Sequence, residues 1–87
     1  MDCSHDWSNK DDGWGYVDAG GDPLRYRSGP HASCAALGQA ADGAKIYYHC
    51  YVINSDDNPW AHGRVAGTNY NGWFYEPYVT NTSTEKC

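Results

Sequence analysis

Apolar and polar positions alternate along short stretches of this chain, and the alternation is that of strands. Leu24 and Tyr26 fall on one side of a run whose other side carries Arg25 and Arg27. A period of two marks a half-buried strand. Ser28-Gly29-Pro30 ends it, because Gly accepts positive φ and Pro donates no hydrogen bond. Lys45 to Val52 is the most persuasive strand, with Ile46, Tyr48 and Cys50 on one face and Tyr47, His49 and Tyr51 on the other. Rings on both faces predict a strand that is central or covered on both sides. Trp14–Val17, a piece beginning at Leu37-Gly38, Trp60–Val65 and Trp73–Val79 complete the set. Turn signals separate them: Ala19-Gly20-Gly21-Asp22-Pro23, Asp42-Gly43 (a hairpin signal), Asn54–Pro59 and Gly67–Gly72. No window sustains a period of 3.6. Five or six short strands with turns about every ten residues predict a small all-β barrel or sandwich.

Composition agrees with this and narrows the function. Helix formers are scarce, while ten Gly and four Pro punctuate the 87 residues. The expected layout is an acidic N-terminal arm over 1–13, a β domain over 14–79 and a polar tail over 80–87. A chain this short often needs a staple, and Cys3, Cys34, Cys50 and Cys87 offer one. An even number of cysteines in a short Trp/Tyr/Gly-rich chain reads as disulfides in an exported protein. Asp2 and Asp6 stand where a signal peptide would need basic and apolar residues. Met1 is therefore read as a start added to a mature fragment in preference to a native start. No apolar run is long enough to span a membrane. The formal charge of −5 argues against nucleic acid, anionic membranes and anionic wall polymers as the main target.

The order of features resembles the bacterial SH3-like (SH3b) domain family. That family opens with Leu-x-Val-Arg-Ser-Gly-Pro and runs through a Gly and a Gly-x-x-Val-x-Val hairpin. It closes with a Trp-initiated strand and Gly-Trp-Val before Tyr-Val. Here these are Leu24–Pro30, Gly38, Gly43–Tyr48, Trp60, Gly72-Trp73-Phe74 and Tyr78-Val79. Cys34 and His49-Cys50-Tyr51 are similar to features of small secreted actinobacterial members. The chain departs from the pattern at Tyr26 and Phe74, where smaller residues are usual, and in a polar insertion before Trp60. The resemblance implies a small, partly open β-barrel that works as a binding module, often for bacterial cell-wall peptide or glycan.

Placed on that pattern, Trp60, Trp73, Tyr75 and Tyr78 come from segments that border the ligand groove. Tyr70 would lie on the adjoining turn and Arg64 would be a polar contact. Four Trp, eight Tyr and one Phe are more than so small a core can bury. Trp60 and Tyr75 are expected to be exposed and Trp73 to be core. Arg27 is expected to hold loop carbonyls, having five N–H donors. Glu76 is either a contact for a basic ligand group or plain surface. Asp56-Asp57 reads as a solvated loop.

Four cysteines allow three pairings, of which Cys34–Cys50 with Cys3–Cys87 is favoured here. The first would tie the loop after the Ser-Gly-Pro turn to the end of the central strand, and the second would join the arms. Zinc at His31, Cys34, His49 and Cys50 is disfavoured, since strand neighbours point to opposite faces. A nucleophile pair of Cys34 with His62 or His31 lacks an electropositive setting. The expectation is a secreted, monomeric, non-catalytic module without cofactor or metal, binding peptide or glycan, with peptidoglycan the first candidate. The alternative is a secreted inhibitor or interaction protein acting on another protein.

Overall fold

The computed structural model describes residues 3–87. The fold is all-β. Six strands form one antiparallel sheet: β1 (Trp14–Tyr16), β2 (Leu24–Arg27), β3 (Ala36–Ala40), β4 (Lys45–Ile53), β5 (Pro59–Val65) and β6 (Asn71–Tyr75). A 3₁₀ turn, η1 (Glu76–Tyr78), follows β6. The strand order is β1-β4-β5-β6-β2-β3. The sheet is open, with β1 and β3 at its margins. Asp42-Gly43 is a turn, with Gly43 at φ 81°, but β3 and β4 do not pair. The turn instead delivers the chain to β1, where Val17 N–H donates to the Ala44 carbonyl at 2.9 Å.

The core gathers Val17, Leu24, Tyr26, Ala40, Ile46, Tyr48, Ala61, Phe74 and Val79. Two of these are the residues larger than the family pattern. Tyr26 and Phe74 pack with ring centroids 5.4 Å apart. Glycines make the room: a Cβ at Gly38 would stand 2.5 Å from the Tyr26 hydroxyl. Closest of all is Gly15, whose Cβ would meet the Thr80 carbonyl oxygen at 1.9 Å. The Thr80 backbone is fixed there, because its N–H donates to Tyr16 O, and the next neighbour, the buried Tyr48 hydroxyl at 2.6 Å from that Cβ, donates to the same Thr80 carbonyl. Gly15→Ala is therefore expected to cost about 3 kcal/mol or more, the upper end of overpacking penalties. Thermal unfolding checks it, and a melting temperature within a degree of wild type would contradict it.

Strand β4 carries a bulge between Tyr48 and Cys50. Its extra residue changes which side the later residues face. Ile46 and Tyr48 enter the core, but beyond the bulge it is Tyr51, not Cys50, that packs against it. Cys50 turns towards the C-terminal segment, which runs alongside: Tyr51 N–H donates to Glu85 O, and Cys87 N–H to Tyr51 O. The disulfides are accordingly Cys50–Cys87 and Cys3–Cys34. All four cysteines are bridged, but the favoured pairing of Cys34–Cys50 with Cys3–Cys87 is wrong. The arm backbone at Cys3 rests directly on Gly29, whose Cβ would lie 2.3 Å from the Cys3 Cα. That places Cys3 beside Cys34.

Arm and tail therefore both pack on the sheet. Lys10 N–H donates to His49 O at 2.9 Å. The Asp11 carboxylate accepts from Ser83 Oγ and from the Gly13 and Thr84 N–H groups. Burial raises the Asp11 pKa, but these hydrogen bonds outweigh it and hold the group below its ordinary value. No helix among the described residues is long and apolar enough to cross a membrane.

Candidate functional site

A groove of about 740 Å³ runs between the β2 entry, the loop at residues 31–33, the loop at 54–58 and η1. One wall is aromatic. Trp60 and Tyr75 are cross-strand partners in β5 and β6, and their ring centroids are 5.2 Å apart. Tyr78, carried past Tyr75 by the 3₁₀ turn, lies 5.5 Å from the Tyr75 ring. Exposure is shared unevenly. Tyr78 is 47% exposed and Tyr75 half-buried, whereas Trp60 is only 4% exposed. The expectation of an exposed Trp60 is thus corrected: its position between β4 and β6 sinks the indole into the wall, where Tyr75 packs against it. Its Nε1 has no hydrogen-bond partner among the described residues.

The opposite wall and rim are polar: Asp22, Arg25, Arg27, His31, Gln39, Asn54, Asp56 and Asn58. Asn54 organises this side. Its side-chain oxygen accepts from the Asp56 and Asn58 N–H groups at 2.9 and 3.0 Å. Its amide donates to the Pro30 carbonyl at 2.8 Å and approaches His31 Nδ1 at 3.3 Å. One side chain thereby closes the 54–58 loop and ties it to the loop after the Ser-Gly-Pro turn. Arg27 donates from Nη1 to the Cys34 carbonyl at 3.1 Å, the loop-holding role expected of it. Asp56 lies 3.9 Å from His31 Nδ1, and Asp57 occupies the left-handed region at φ 61°. Such internal fixing lowers the ordering cost of binding.

The other proposed contacts lie elsewhere. Tyr70 is 66% exposed in the β5–β6 turn, outside the groove. Arg64 donates to the Thr68 carbonyl at 2.9 Å and covers the Tyr47 ring. Trp73 is buried, as expected of a core residue, but the arm covers it, outside the core cluster. His62 meets its ring edge-on at 5.0 Å and His5 at 5.7 Å. Glu76 is not plain surface, and it does not line the groove. It is buried, and burial raises its pKa.

A second cluster lies under the arm. Trp7 stacks on His62 at 3.8 Å and on His49 at 4.7 Å. The two imidazoles share a hydrogen bond between their Nδ1 atoms at 2.9 Å, which requires one of them to be neutral there as acceptor. Burial, then the neighbouring His49, pushes the His62 pKa down to about 3. Burial, then Arg64, lowers His49 as well. With Cys34 and Cys50 in separate bridges, neither the zinc set nor the Cys34 nucleophile pair has a thiolate to offer. No group of three or more metal-ligating side chains comes together among the described residues.

Sequence reasoning reached Trp60, Tyr75 and Tyr78, which the fold brings to one wall. It missed the polar wall: Asn54 was read only as part of a polar loop, Arg25 only as the outer side of a strand, and His31 only as a disfavoured zinc ligand or base. It also missed Trp7, an isolated ring in an acidic stretch. No protein-family model matches the chain, and neither a curated protein nor a solved structure matches it significantly.

Proposed function

We propose that this chain is a secreted, non-catalytic binding module of SH3b type. It takes an extended peptide or glycan in the groove between Tyr75, Tyr78 and the Asn54-centred rim, with cell-wall fragments as the first ligand class. The observation that carries this reading is the joining of a graded aromatic wall to a polar rim that is already fixed by its own hydrogen bonds. Tyr gives contact area and a hydroxyl at low entropic cost. The two disulfides, in a small domain, are compatible with an extracellular setting. The 3₁₀ turn between the β4–β5–β6 meander and the Val79 bridge to Val17 supports the SH3-like comparison.

Binding of soluble peptidoglycan fragments, measured by titration calorimetry, tests this. Trp60→Ala is a poor probe, since removing a buried ring perturbs the fold. Tyr78→Ala and Tyr75→Ala are the informative variants. Each is expected to weaken binding about 10-fold or more, as central aromatic contacts do. Unchanged affinity in both would refute the groove as the site.

A second reading has its own observation. The 54–58 loop projects acidic groups from a backbone locked by Asn54, which also suits capture of a protein. A stable 1:1 complex with a secreted enzyme, lost on Asn54→Ala, together with indifference to wall fragments, would favour an inhibitor.

A further inference from the structure

The arm covers the half of the sheet's outer face that carries His49, His62 and Trp73, and it is fastened at two points. At one end Cys3 is bridged to Cys34. At the other, the Asp11 carboxylate accepts from Ser83 Oγ and from the Gly13 and Thr84 N–H groups. Among the described residues, the backbone hydrogen bond that joins residues 5–10 to the sheet is Lys10 N–H to the His49 carbonyl. Ring contacts hold the middle. His5 meets Trp73 edge-on, and Trp7 lies nearly parallel to both imidazoles, 16° from His62 and 12° from His49. That seat exists because the pair is itself close to parallel, 27° apart, with the two Nδ1 atoms 2.9 Å from each other. His62 is 2% exposed and Trp73 1%, while Trp7 is 42% exposed. A cleft of about 370 Å³ opens beside the seat, where Asp6, Trp7, Arg27, His62 and Trp73 line it.

We propose that residues 4–10 are a strap worked by protons: it lies closed while the imidazole pair carries no more than one, and acid lifts it off Trp73 and the pair. The hydrogen bond between the Nδ1 atoms needs one donor and one acceptor. A first proton is compatible with it, because a charged donor and a neutral acceptor suffice, and an imidazolium also stacks well on an indole face. A second proton sets N–H against N–H and leaves two like charges in a site closed to water. The rings must then part, and the platform under Trp7 goes with them. The charged groups around the pair give no relief. Arg64 of β5 acts on His49 as a further positive charge, and Arg27 of β2 lines the cleft. On the strap, His5 and Lys10 can only add positive charge. Asp6, the carboxylate lining the cleft, forms no ion pair with either imidazole among the described residues. Lifting gives both imidazoles to water, so the open form binds at least one proton more than the closed one. Its share therefore grows up to about 10-fold for each pH unit below about 6.5, the ordinary imidazole value. The strap stays tethered throughout, since the Cys3–Cys34 bridge and the Asp11 anchor lie outside it.

Amide hydrogen exchange on the intact, disulfide-bonded protein at pH 6.5 and 5.5 tests this. Lys10 N–H reports on the strap, and Val17 N–H, bonded to the Ala44 carbonyl, reports on the core. After correction for intrinsic rates, Lys10 is expected to be about 10-fold or more less protected than Val17 at both pH values, because the strap opens without the domain unfolding. Its protection is expected to fall about 5-fold or more between the two. In His62→Asn that fall should shrink to about 2-fold or less, since a lone imidazole at the seat takes up the one proton the closed strap tolerates. Asp6→Asn and His5→Gln should leave the fall as it is. If His62→Asn does not fold, His49→Gln removes the pair equally, and the wild-type profile can refute the strap without either. Equal protection of Lys10 and Val17 would mean that only unfolding of the whole domain exposes the pair, and would overturn the proposal. So would Lys10 protection that does not change with pH, or a change that survives loss of the pair or disappears in Asp6→Asn or His5→Gln.

Discussion

Replacing Cys50 and Cys87 together by alanine is expected to lower the unfolding free energy by roughly 4 kcal/mol. The bridge closes a loop of 37 residues in sequence separation, and the chain-entropy model gives about that value for such a loop. The setting makes the full amount visible. The bridge joins the post-bulge part of β4 to the tail, and two backbone hydrogen bonds between Tyr51 and residues 85–87 run beside it. Without the bridge the tail end has few other anchors, so those hydrogen bonds should fray with it. Against a total of about 5–15 kcal/mol for native domains, the loss is large. Urea unfolding of the double variant checks it; a loss under about 1 kcal/mol would show that the unfolded chain gains little freedom when this loop opens. Cys3–Cys34 has a similar separation, 31 residues, but its loss should also loosen the groove, because residues 31–33 line it. Cys3→Ala with Cys34→Ala is thus distinguished by weaker ligand binding at temperatures where the domain remains folded.

Acid is expected to destabilise the fold well before its carboxylates are all protonated. His49 and His62 are neutral in the folded state, with His62 held down at about 3 and His49 lowered too. In the unfolded chain both return to about 6.5. Between those values the unfolded state binds more protons, so stability is full above about pH 6.5 and is lost as pH falls towards 3. The hydrogen bonds on Asp11 act in the same direction at lower pH, since its folded pKa is depressed. Glu76 opposes them. Its pKa is raised by burial, so its contribution is full below the unfolded value and declines as pH rises. The histidine pair should dominate from pH 6.5 to 5, with a loss on the order of 3 kcal/mol by pH 4. Denaturant unfolding at pH 7.5, 5.5 and 4.5 measures the slope. In His62→Asn the slope should flatten, whatever the absolute stability; an unchanged slope would remove the pair as its source.

How far the site was legible follows from which signals are local. Trp60, Tyr75 and Tyr78 could be named because they fall in the segments that, in the SH3b pattern the chain resembles, border the groove. Their exposure could not be read the same way. Trp60 and Tyr78 differ in depth because β5 is flanked on both sides and η1 is not. The polar wall was invisible because Asn54 and His31 lie 23 residues apart and are joined only by a loop contact. Trp73 was expected in the core, and its burial is real, but the cover comes from the arm. His5 and Trp7 gave no pattern from which that could be foreseen.

By itself the sequence determined that the chain is all-β, roughly where its strands and turns fall, and that its cysteines would be bridged. These depend on alternation, turn chemistry and cysteine count, which act within a few residues or through composition. The tertiary structure alone decided the pairing of the cysteines, the strand order and the covering of half the outer face. A single extra residue at the β4 bulge turned Cys50 to the tail. The close approach of the arm to Gly29 brought Cys3 to Cys34. Both outcomes depend on which distant backbones meet, and no local preference in the chain encodes that meeting.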